Sequence, residues 1–387
     1  MNKDITMNFF RNIAKNGPSM EMEVHNVDLS IVNALRRIIL AEIPTVALAF
    51  DPIAESNEDI MISLNNSALH NEFLAHRISL IPMHFNKKEI AAFNPEDYLF
   101  HLKVKNTGTD IIPVTTRNIV IKDAEGKPYS DSVHRRVFPA DPITKDHILI
   151  TKLRPNIYSP EKGESIDITF KASKNIAKNH SRWCPVSCCA FYNMVDEKAA
   201  TQGLEDKLAE EAKNRNRPLT QEETDKISKR FDTLMKYRFF YKNKYGEPSI
   251  FHFKIDSECG LHPEELFTQA LDTLIAKLNT FAEECASPTT SITVNKVNAT
   301  LHDVVIENED FTLLNVLQSI LYNTLIRDQK TNKVLEYIGY HQPHPLDNKM
   351  VLKMKFADES VGALEFLGNS VADHVIPYVQ NIKDQWV

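Results

Sequence analysis

The sequence predicts an α+β chain in which two pseudo-equivalent domains pair with each other and a β-rich inserted domain interrupts the first. Two observations lead to this prediction. Amphipathic helical segments alternate with strand-like segments in both halves of the chain, in a similar order. A short motif at the start of one helix in the first half also recurs in the second half, which indicates internal repetition.

The most regular helical pattern lies in residues 28–43, where Ile31, Leu35 and Ile39 fall on one face. An acidic or hydroxyl residue is available as the N-cap, and Pro44 stops the helix. The segment SMEMEVHNV before this helix alternates in the strand period, and the segments TVALAF and DIMISL after it are typical of short strands. The first half therefore opens with a strand, a helix and two strands.

The chain from Pro82 to about Arg154 is predicted to be β-rich. A second helix is expected over residues 68–80. Strand-like stretches such as YLFHLKVKN and RNIVIKD follow it and are separated by glycine and proline turns.

Residues 196–245 differ in character from the rest of the first half because they are densely charged. Pro218 breaks the segment, and Thr220 with Glu223 has the spacing of a capping box. We therefore predict two exposed helices that form an insertion.

The first half then closes with a strand and a long helix, and the linker SPTTS at residues 287–291 leads to a compressed version of the same order. The elements predicted after the insertion are the strand IFHFKID, the helix HPEELFTQALDTLIAKLNTFAEEC, the strand NATLHDVVI, a helix from Thr312, the turn GYHQPHPLDN, the strand MVLKMKF and a final helix from about Ser360 to Lys383.

The repeated motif is DLSIVNAL at residues 28–35 and DFTLLNVL at residues 310–317. It suggests two related domains that face each other as in a dimer made covalent. Unrelated helices with an acidic N-cap before an apolar face would give the same letters, so the motif alone leaves both interpretations open. The predicted shared core of the pairing consists of Ile31, Leu35, Ile39, Leu313, Leu317 and Leu321.

Composition excludes several classes of protein. The net charge of -7 and pI near 6.1 argue against a wholesale nucleic-acid binder. No apolar run approaches the ~18 residues of a membrane span, and the first residues lack a signal-peptide pattern, so we expect an intracellular protein without a membrane contact. Five cysteines without a CxxC pair indicate free thiols, and no metal site is predicted. His341 and His344 lie among prolines and are assigned to a turn.

Catalytic signatures are absent from the sequence. It has no glycine-rich phosphate loop, no GxSxG, no HExxH and no Asp-x-Asp-x-Asp cluster to hold the magnesium ions of a polymerase. We therefore predict no catalytic residue in this chain.

Basic and aromatic residues interleave in KISKRFDTLMKYRFFYKNKY, at residues 226–245. Such a segment could contact phosphates and stack on bases. A helix that packs its aromatic side chains inward and keeps its charges in water has the same composition, and we favour that second interpretation.

Several segments together resemble a known family. NALRRIILAEIP (33–44) and NNSALHNEFLAHRISLIPM (65–83) resemble the signature of the third-largest subunit of eukaryotic RNA polymerase II, the archaeal D subunit and the bacterial alpha amino-terminal domain. The segments ITKLRP, ASKNIAKNHSRWCPV and FHFKIDSECGLHPEEL are similar to the same family. The second half, through NATLHDVVIENEDFTLLNVL and GYHQPHPL, is similar to the eleventh subunit or archaeal L subunit.

This resemblance implies a domain organisation. Residues 1–43 and 186–287 would form a third-subunit-like, alpha-like dimerisation domain that carries the insertion at 196–245. Residues 44–185 would be the inserted domain, and residues 288–387 an eleventh-subunit-like dimerisation domain.

The resemblance also implies a function: a non-catalytic assembly platform of a multisubunit DNA-directed RNA polymerase. Its expected partners are the two largest subunits and small subunits resembling the tenth and twelfth of RNA polymerase II. DNA would be contacted only indirectly, magnesium would sit on the catalytic partner, and the chain would not be a homo-oligomer. The alternative is a stand-alone nucleic-acid-binding or transcription-regulatory protein.

Four residues are predicted to bind partners. In the family the second arginine of the pair Arg36 and Arg37 helps to grip the second-largest subunit, which here implies Arg37. Without the resemblance, both arginines would be side chains that snorkel at the solvent edge of a helix. His76 and Arg77 fit either an interface or a structural role.

Two departures from the family are visible. The eleventh-subunit family usually has His-Thr-Leu-Gly-Asn where residues 311–315 read FTLLN, so we expect the start of that helix to differ in detail. Third subunits often bind zinc through cysteines soon after the position of Pro82, and none occurs there, so that zinc is not carried over. The fused arrangement is known in large nucleocytoplasmic DNA viruses, which implies a viral source, with the host cytoplasm and the virion as its locations.

Overall fold

The structure is a computed structural model that describes residues 8–48, 50, 59–287, 291–329 and 333–386. The predicted linker at residues 287–291 lies mostly outside these ranges. The chain divides into two compact units. Unit 1 comprises Met1–Ile38, Cys189–Ile255 and Phe267–Val387, and unit 2 comprises Ile39–Cys188 and Asp256–Leu266.

The described residues form strands and helices in alternation, which is the predicted α+β class. The strands are β1 (Phe10–Asn16), β2 (Ser19–His25), β3 (Thr45–Leu48), β4 (Ile60–Asn65), β5 (Leu99–Lys105), β6 (Ile112–Thr115), β7 (Ile119–Lys122), β8 (Leu149–Leu153), β9 (Ser165–Asn175), β10 (Val186–Asn193), β11 (Ile250–Ser257), β12 (Ile292–Lys296), β13 (Leu301–Glu307), β14 (Leu335–His341) and β15 (Lys349–Phe356). The helices are α1 (Leu29–Ala41), α2 (Asn71–Ser79), α3 (Lys87–Ala91), α4 (Asp131–Val137), α5 (Glu197–Asn214), α6 (Gln221–Leu234), α7 (Pro263–Ala286), α8 (Phe311–Leu321), α9 (Ala363–Ser370) and α10 (Ile376–Trp386).

Unit 1 contains two four-stranded sheets with the same topology. The first sheet has the order β1-β2-β11-β10 and the second has the order β12-β13-β15-β14. In both, a hairpin is followed by a helix, then by the outer strand, the inner strand and a C-terminal helical segment. We call β1, β2, α1, β10, β11 and α7 the first module, and β12, β13, α8, β14, β15, α9 and α10 the second module. The predicted pair of pseudo-equivalent domains is confirmed.

The two modules differ in their helices and connections. In the second module α8 continues into a π-helical segment, Tyr322–Arg327, and a second π-helical segment, Val371–Val375, joins α9 to α10. In the first module one connection carries most of unit 2, and another carries α5 and α6.

Unit 2 is β-rich, as predicted for the inserted domain. Strand β9 pairs with β3, β4 and β5, strand β7 pairs with β5, and β6 with β8 forms a separate ribbon. Its core includes the stacked rings of Phe100 and Phe170, whose centroids are 5.4 Å apart. Helix α2 buries Leu74, Ala75 and Ile78 and is shorter at both ends than the predicted range.

The charged insertion forms the two predicted helices, α5 and α6, and both are mostly exposed. The predicted capping box is also confirmed: Thr220 accepts a hydrogen bond from the backbone N–H of Glu223, and the Glu223 side chain accepts one from the N–H of Thr220. Helix α6 therefore begins where local capping chemistry fixes it.

Several strands, β10 among them, were not predicted individually, and three of the others have weak patterns of their own. Strand β1 has a single buried residue, Phe10, so no alternation marks it. Strand β12 begins directly after the predicted linker, and β14 extends into the predicted turn as far as His341. In each case pairing with a neighbouring strand stabilises a segment whose own pattern is weak.

Candidate functional site

The first structural feature that the two modules share is the cap of their central helices. Asp28 precedes α1, and its Oδ1 accepts hydrogen bonds from the N–H and the hydroxyl of Ser30, at 2.8 and 2.6 Å. Asp310 precedes α8 and accepts a hydrogen bond from the N–H of Thr312 at 2.7 Å. Each carboxylate satisfies a backbone donor of the first turn that would otherwise have no partner in its helix.

The same two aspartates also contact the opposite module. The Ser319 hydroxyl lies 3.0 Å from both carboxylate oxygens of Asp28, and Asn323 Nδ2 donates to Asp28 Oδ2 at 3.2 Å. Arg37 contacts Asp310 at 3.4 Å through one guanidinium nitrogen. Arg37 Nε donates to the Thr312 hydroxyl at 2.7 Å.

These contacts are reciprocal in sequence as well as in space. Asp310 lies 282 positions after Asp28, and Ser319 lies 282 positions after Arg37. Exchanging the two modules therefore turns the positions of the Asp28–Ser319 contact into those of the Asp310–Arg37 contact. A two-fold interface has this property, because residue i contacts j and j contacts i.

The apolar side chains predicted for the pairing are all buried. Their exposed fractions are 3% or less, and they lie on α1 and α8. Their assignment to the pairing itself stays a prediction. The six residues are Ile31, Leu35, Ile39, Leu313, Leu317 and Leu321.

The C-terminal helices of the modules make a second set of contacts. Trp386 Nε1 donates to the Thr268 hydroxyl at 2.9 Å, and Lys383 pairs with Asp272 at 2.8 Å. At the other end, a Cβ on Gly368 would lie 3.0 Å from the Cβ of Cys285. Helix α7 and the α9–α10 segment therefore run antiparallel and in close contact.

A third set of contacts joins the end of the insertion to the second module. The Arg327 guanidinium lies 3.6 Å from the ring centroid of Tyr245 and 2.6 Å from a carboxylate oxygen of Glu247. Lys244 pairs with Asp328 at 2.9 Å. The arginine lowers the pKa of the Glu247 carboxyl, which is partly opposed by burial.

The arginines predicted to bind a partner have different surroundings. Arg36 donates only within its own helix, to the Asn33 side chain at 3.0 and 3.1 Å. Arg37 is engaged with Thr312 and Asp310 of the second module, and its side chain is 39% exposed. Binding of another subunit by either residue stays a prediction.

The other two predicted residues lie on α2 in unit 2, and both are exposed. Arg77 donates to the carbonyl oxygens of Leu149 and Ile150 at 2.9 Å each, so it ties α2 to the start of β8. His76 accepts a hydrogen bond from the Ser79 hydroxyl through its backbone carbonyl. A partner for either side chain outside this chain stays a prediction.

Sequence reasoning did not single out an apolar surface on β4 and α2, which we call the α2 surface. It carries four large apolar side chains, of which Phe73 is 64% exposed. The available signal was that Phe73 lies outside the buried stripe of Leu74 and Ile78. The four residues are Met61, Leu64, Phe73 and Leu80.

The basic and aromatic segment divides into two parts. Phe231 is buried and lies 5.5 Å from the ring of Phe239, which packs so closely on Gly203 that a side chain there would overlap the ring. Tyr237 and Tyr241 are exposed. The favoured interpretation, aromatics packed inward, is correct for Phe231 and Phe239 and wrong for Tyr237 and Tyr241, while Phe240 and Tyr245 are half-buried.

Two buried cysteines have thiols that are difficult to ionise. Burial raises the pKa of Cys259 to about 11 and that of Cys285 to about 12, so both thiols stay protonated at neutral pH. Among the described residues no three His, Cys, Asp or Glu side chains converge as metal ligands would. Within the same ranges, no helix has the length and apolar character needed to cross a membrane.

Comparisons with known proteins agree with this architecture. A family model described as the RNA polymerase Rpb3/Rpb11 dimerisation domain matches residues 21–278, and a second model with that description matches residues 302–385. The chain therefore belongs to the Rpb3/Rpb11 family of RNA polymerase dimerisation domains and carries two copies of the domain. The first match spans much of unit 2, as expected of a domain with a long insertion.

Relatives over most of the chain are polymerase subunits. The DNA-directed RNA polymerase II subunit RPB3 of Schizosaccharomyces pombe is 27% identical over 305 residues, which cover 74% of this chain and 90% of that protein. The DNA-directed RNA polymerases I and III subunit RPAC1 of Bos taurus is 27% identical over 69% of this chain and 81% of that protein. The corresponding subunit of Dictyostelium discoideum is 28% identical over 71% of this chain and 81% of that protein.

Proposed function

We propose that this chain is a non-catalytic assembly platform of a multisubunit DNA-directed RNA polymerase, and that its two modules act as a heterodimer made within one polypeptide. The observation that carries the proposal is the reciprocal contact of Asp28 with Ser319 and of Asp310 with Arg37. An exchange-related pair of contacts is what an evolved two-fold interface produces. Membership of two domains in one dimerisation family supports the same conclusion.

Fusion changes how the modules find each other. In a two-chain heterodimer, pairing costs translational and rotational freedom, whereas tethered modules meet at an effective concentration that the linker sets. The chain would therefore pair during its own folding. We also propose that it acts inside cells and is not a homo-oligomer.

As a platform, the chain would fix the geometry of its partners, and the chemistry would occur on them. We propose as partners the two largest subunits and small subunits resembling the tenth and twelfth of RNA polymerase II. Magnesium would be held by the catalytic subunit. The α2 surface is a suitable docking site because it exposes four large apolar side chains on two elements that are near each other in sequence.

Intramolecular pairing is tested by cutting the linker. A protease site inserted between Ser287 and Ser291 is cleaved in the folded full-length protein, and the products are analysed by size-exclusion chromatography. We expect both fragments to elute together. Separation of intact, folded fragments at micromolar concentration would contradict the pairing without bearing on family membership.

Docking is tested by affinity purification from the native cells at high salt, with partners identified by mass spectrometry. We expect two very large polymerase subunits with the wild-type chain and weaker recovery with the double substitution Phe73→Ser and Leu80→Ser. Arg37→Ala and Arg36→Ala test the predicted grip, and Arg11→Ala, at an exposed arginine on β1, is their matched control. Undiminished recovery with the α2-surface variant would remove that surface from the proposal.

We further propose that the α5–α6 insertion binds another polymerase subunit. Its helices are largely exposed and charged, so their packing within this chain does not account for them. Deleting residues 196–236 should lose one subunit from the purified complex. Retention of every subunit at full strength would count against this role.

The competing function is a stand-alone nucleic-acid-binding protein. Exposed Tyr237 and Tyr241 are each followed in sequence by an exposed cation, Arg238 and Lys242, which favours it, since bases stack on exposed rings and phosphates pair with cations. Salt-sensitive binding of the isolated chain to single-stranded DNA, abolished by Tyr237→Ala with Tyr241→Ala, would support this function instead.

A further inference from the structure

Unit 2 contains a cavity of about 550 Å³ between strand β7, helix α4 and the loop that follows that helix. It has no part in the contacts described above. Cationic and titratable side chains dominate its polar lining, although the chain as a whole has a net charge of -7. These side chains are Arg117, His134, Arg135, Lys145 and His147, with Asp131 as the one acidic member.

The single lining carboxylate does not neutralise the cavity. Asp131 forms an ion pair with Arg135 one turn along α4. Arg117 is exposed, and no side chain in the described ranges pairs with it. Lys145 donates to the carbonyl oxygen of Pro142 at 2.6 Å, which occupies one of its three N–H bonds. Two cations therefore remain available to a ligand.

His147 lines the same cavity and has one ring nitrogen that is unpaired among the described residues. Its Nδ1 is buried and has no hydrogen-bond partner within the described part of the chain. Buried polar atoms in folded proteins are normally paired. Burial lowers the pKa of His147, the nearby charges of His134 and Arg117 lower it further, and only Asp146 opposes them. The ring therefore lies in a positive local field.

His134 is held in place at the same cavity. Its Nε2 lies 3.0 Å from the carbonyl oxygen of Thr116, and its ring centroid is 6.4 Å from that of His147. Because a carbonyl oxygen only accepts, Nε2 of His134 must carry the proton. The rings of His134 and His147 therefore lie near each other in the lining of the cavity to which Arg117 also belongs.

The remaining wall of the cavity is apolar. Val120, Tyr129, Pro139 and Ala140 line it, and the Tyr129 hydroxyl is turned away to donate to the carbonyl oxygen of Asp97 at 3.2 Å. A small hydrated anion would use the cations but not this wall. An anion attached to an apolar group would use both.

We propose that this cavity is a binding site for an oxyanion, a carboxylate or a phosphate, carried on an apolar body. Arg117 would bind the oxyanion through its planar fork, which matches either group, with Lys145 and His147 as further donors. The apolar body would cover Val120 and Tyr129. The site does not depend on the polymerase function, because all of its residues belong to unit 2 of this chain.

The test uses the full-length chain with ¹³C-labelled histidine and two probes, inorganic phosphate and 3-phenylpropanoate. The chain has 14 histidines, and the signals of His134 and His147 are assigned through His134→Gln and His147→Gln. We expect a saturable shift of both signals. Tighter binding of 3-phenylpropanoate would identify the carboxylate on an apolar body, and tighter binding of phosphate would identify a phosphate ligand.

Loss of the guanidinium should weaken binding of the better probe about tenfold or more, since a charge-assisted hydrogen bond is lost. Arg117→Gln measures this loss and Lys145→Gln gives a second, independent variant. Both residues are exposed, so folding is preserved and an unchanged thermal melt verifies it. Arg230→Gln, an exposed arginine on α6, is the matched control and should bind both probes as the wild type does.

The proposal is overturned if neither probe gives a saturable shift of the His134 and His147 signals. It is equally overturned if Arg117→Gln and Lys145→Gln bind both probes as tightly as the wild type and the Arg230→Gln control.

Discussion

The first and second modules have the same strand order, but only the first carries long insertions between its elements. In the second module only a short connection separates the π-helical end at Arg327 from Leu335. In the first module the corresponding connection runs from Ala41 to Val186, and a further insertion separates β10 from β11. Because the entropic cost of closing a loop grows slowly with its length, insertions at these points leave the sheet order intact. Helices α1 and α8 themselves carry no insertion.

The modules also differ within the reciprocal contacts. At one end of the pairing Asp28 is held by the neutral donors Ser319 and Asn323, and at the other end Asp310 is held by the cation Arg37. The ion pair at the charged end is partly exposed, so solvent weakens it. The structure therefore predicts unequal energies for two contacts that occupy equivalent positions.

The largest expected effect tests whether the modules share one core. Leu35 and Leu317 are equivalent in the repeated motif, and both are buried. Leu35→Ala and Leu317→Ala should each lower the free energy of unfolding of unit 1 by about 2–5 kcal/mol, since each leaves a cavity. Urea unfolding is followed by Trp386 fluorescence in a Trp183→Phe background.

Trp386 belongs to the second module and contacts Phe10 and Phe267 of the first. A shared core requires that Leu35→Ala shifts this signal as much as Leu317→Ala does. The exposed residue Ile13 gives the control, since Ile13→Ala should change the free energy of unfolding by less than about 0.5 kcal/mol. An unshifted Trp386 transition in Leu35→Ala would mean that the modules unfold independently.

The second-largest expected effect concerns Asp28, whose partners in the second module are neutral. Asp28→Ala removes the helix cap and the acceptor for Ser319 and Asn323, so we expect a loss of about 2–3 kcal/mol in the free energy of unfolding. Asp28→Asn keeps an acceptor for the cap and should lose less. Both are measured by urea unfolding, and equal losses for the two variants would show that the charge of Asp28 contributes nothing.

The third expected effect concerns Arg37, which contacts Asp310, and it should be smaller than that of Asp28. Arg37→Ala removes one hydrogen bond to Thr312 and an ion pair whose arginine is 39% exposed, so solvent weakens the interaction. We expect a loss of about 0.5–1.5 kcal/mol. Arg36→Ala, which removes only a bond to Asn33 within α1, should lose less than about 0.5 kcal/mol. Equal losses for the two arginines would remove the pairing role of Arg37.

Short-range sequence patterns predicted the helices that an apolar face or a capping box defines. The spacing of Ile31, Leu35 and Ile39 gave α1, and the Thr220 to Glu223 capping box gave the start of α6. The weakly patterned edge strand β1 was missed because its stability comes from pairing with β2. Local sequence therefore sufficed wherever a helix has a strong apolar face or cap.

The contacts of the candidate site could not be predicted from short-range sequence patterns. The motif repeat placed Asp28 and Asp310 at equivalent positions, but only the fold brings Ser319 to one and Arg37 to the other. In the same way, nothing in the sequence around Arg77 indicates that the carbonyl groups of β8 occupy its guanidinium. Tertiary partners at large separation in sequence are set by topology, which a single sequence does not specify.

The smallest effect is confined to the insertion, which has no counterpart in the second module. Hydrogen bonds from Arg217 and from the backbone of Thr220 lower the pKa of Glu223 from its usual 4.5 to about 2. Since the folded pKa is depressed, the stabilising contribution is present above about pH 4.5 and is lost as the pH falls through about 2. The backbone amide signal of Thr220, followed by NMR against pH, should titrate with the folded-state pKa of about 2. Glu223→Gln should abolish that titration, whereas Glu222→Gln should leave it in place. The urea unfolding transition reported by Trp386 fluorescence at neutral pH should be the same in both variants, because the capping box fixes only the insertion.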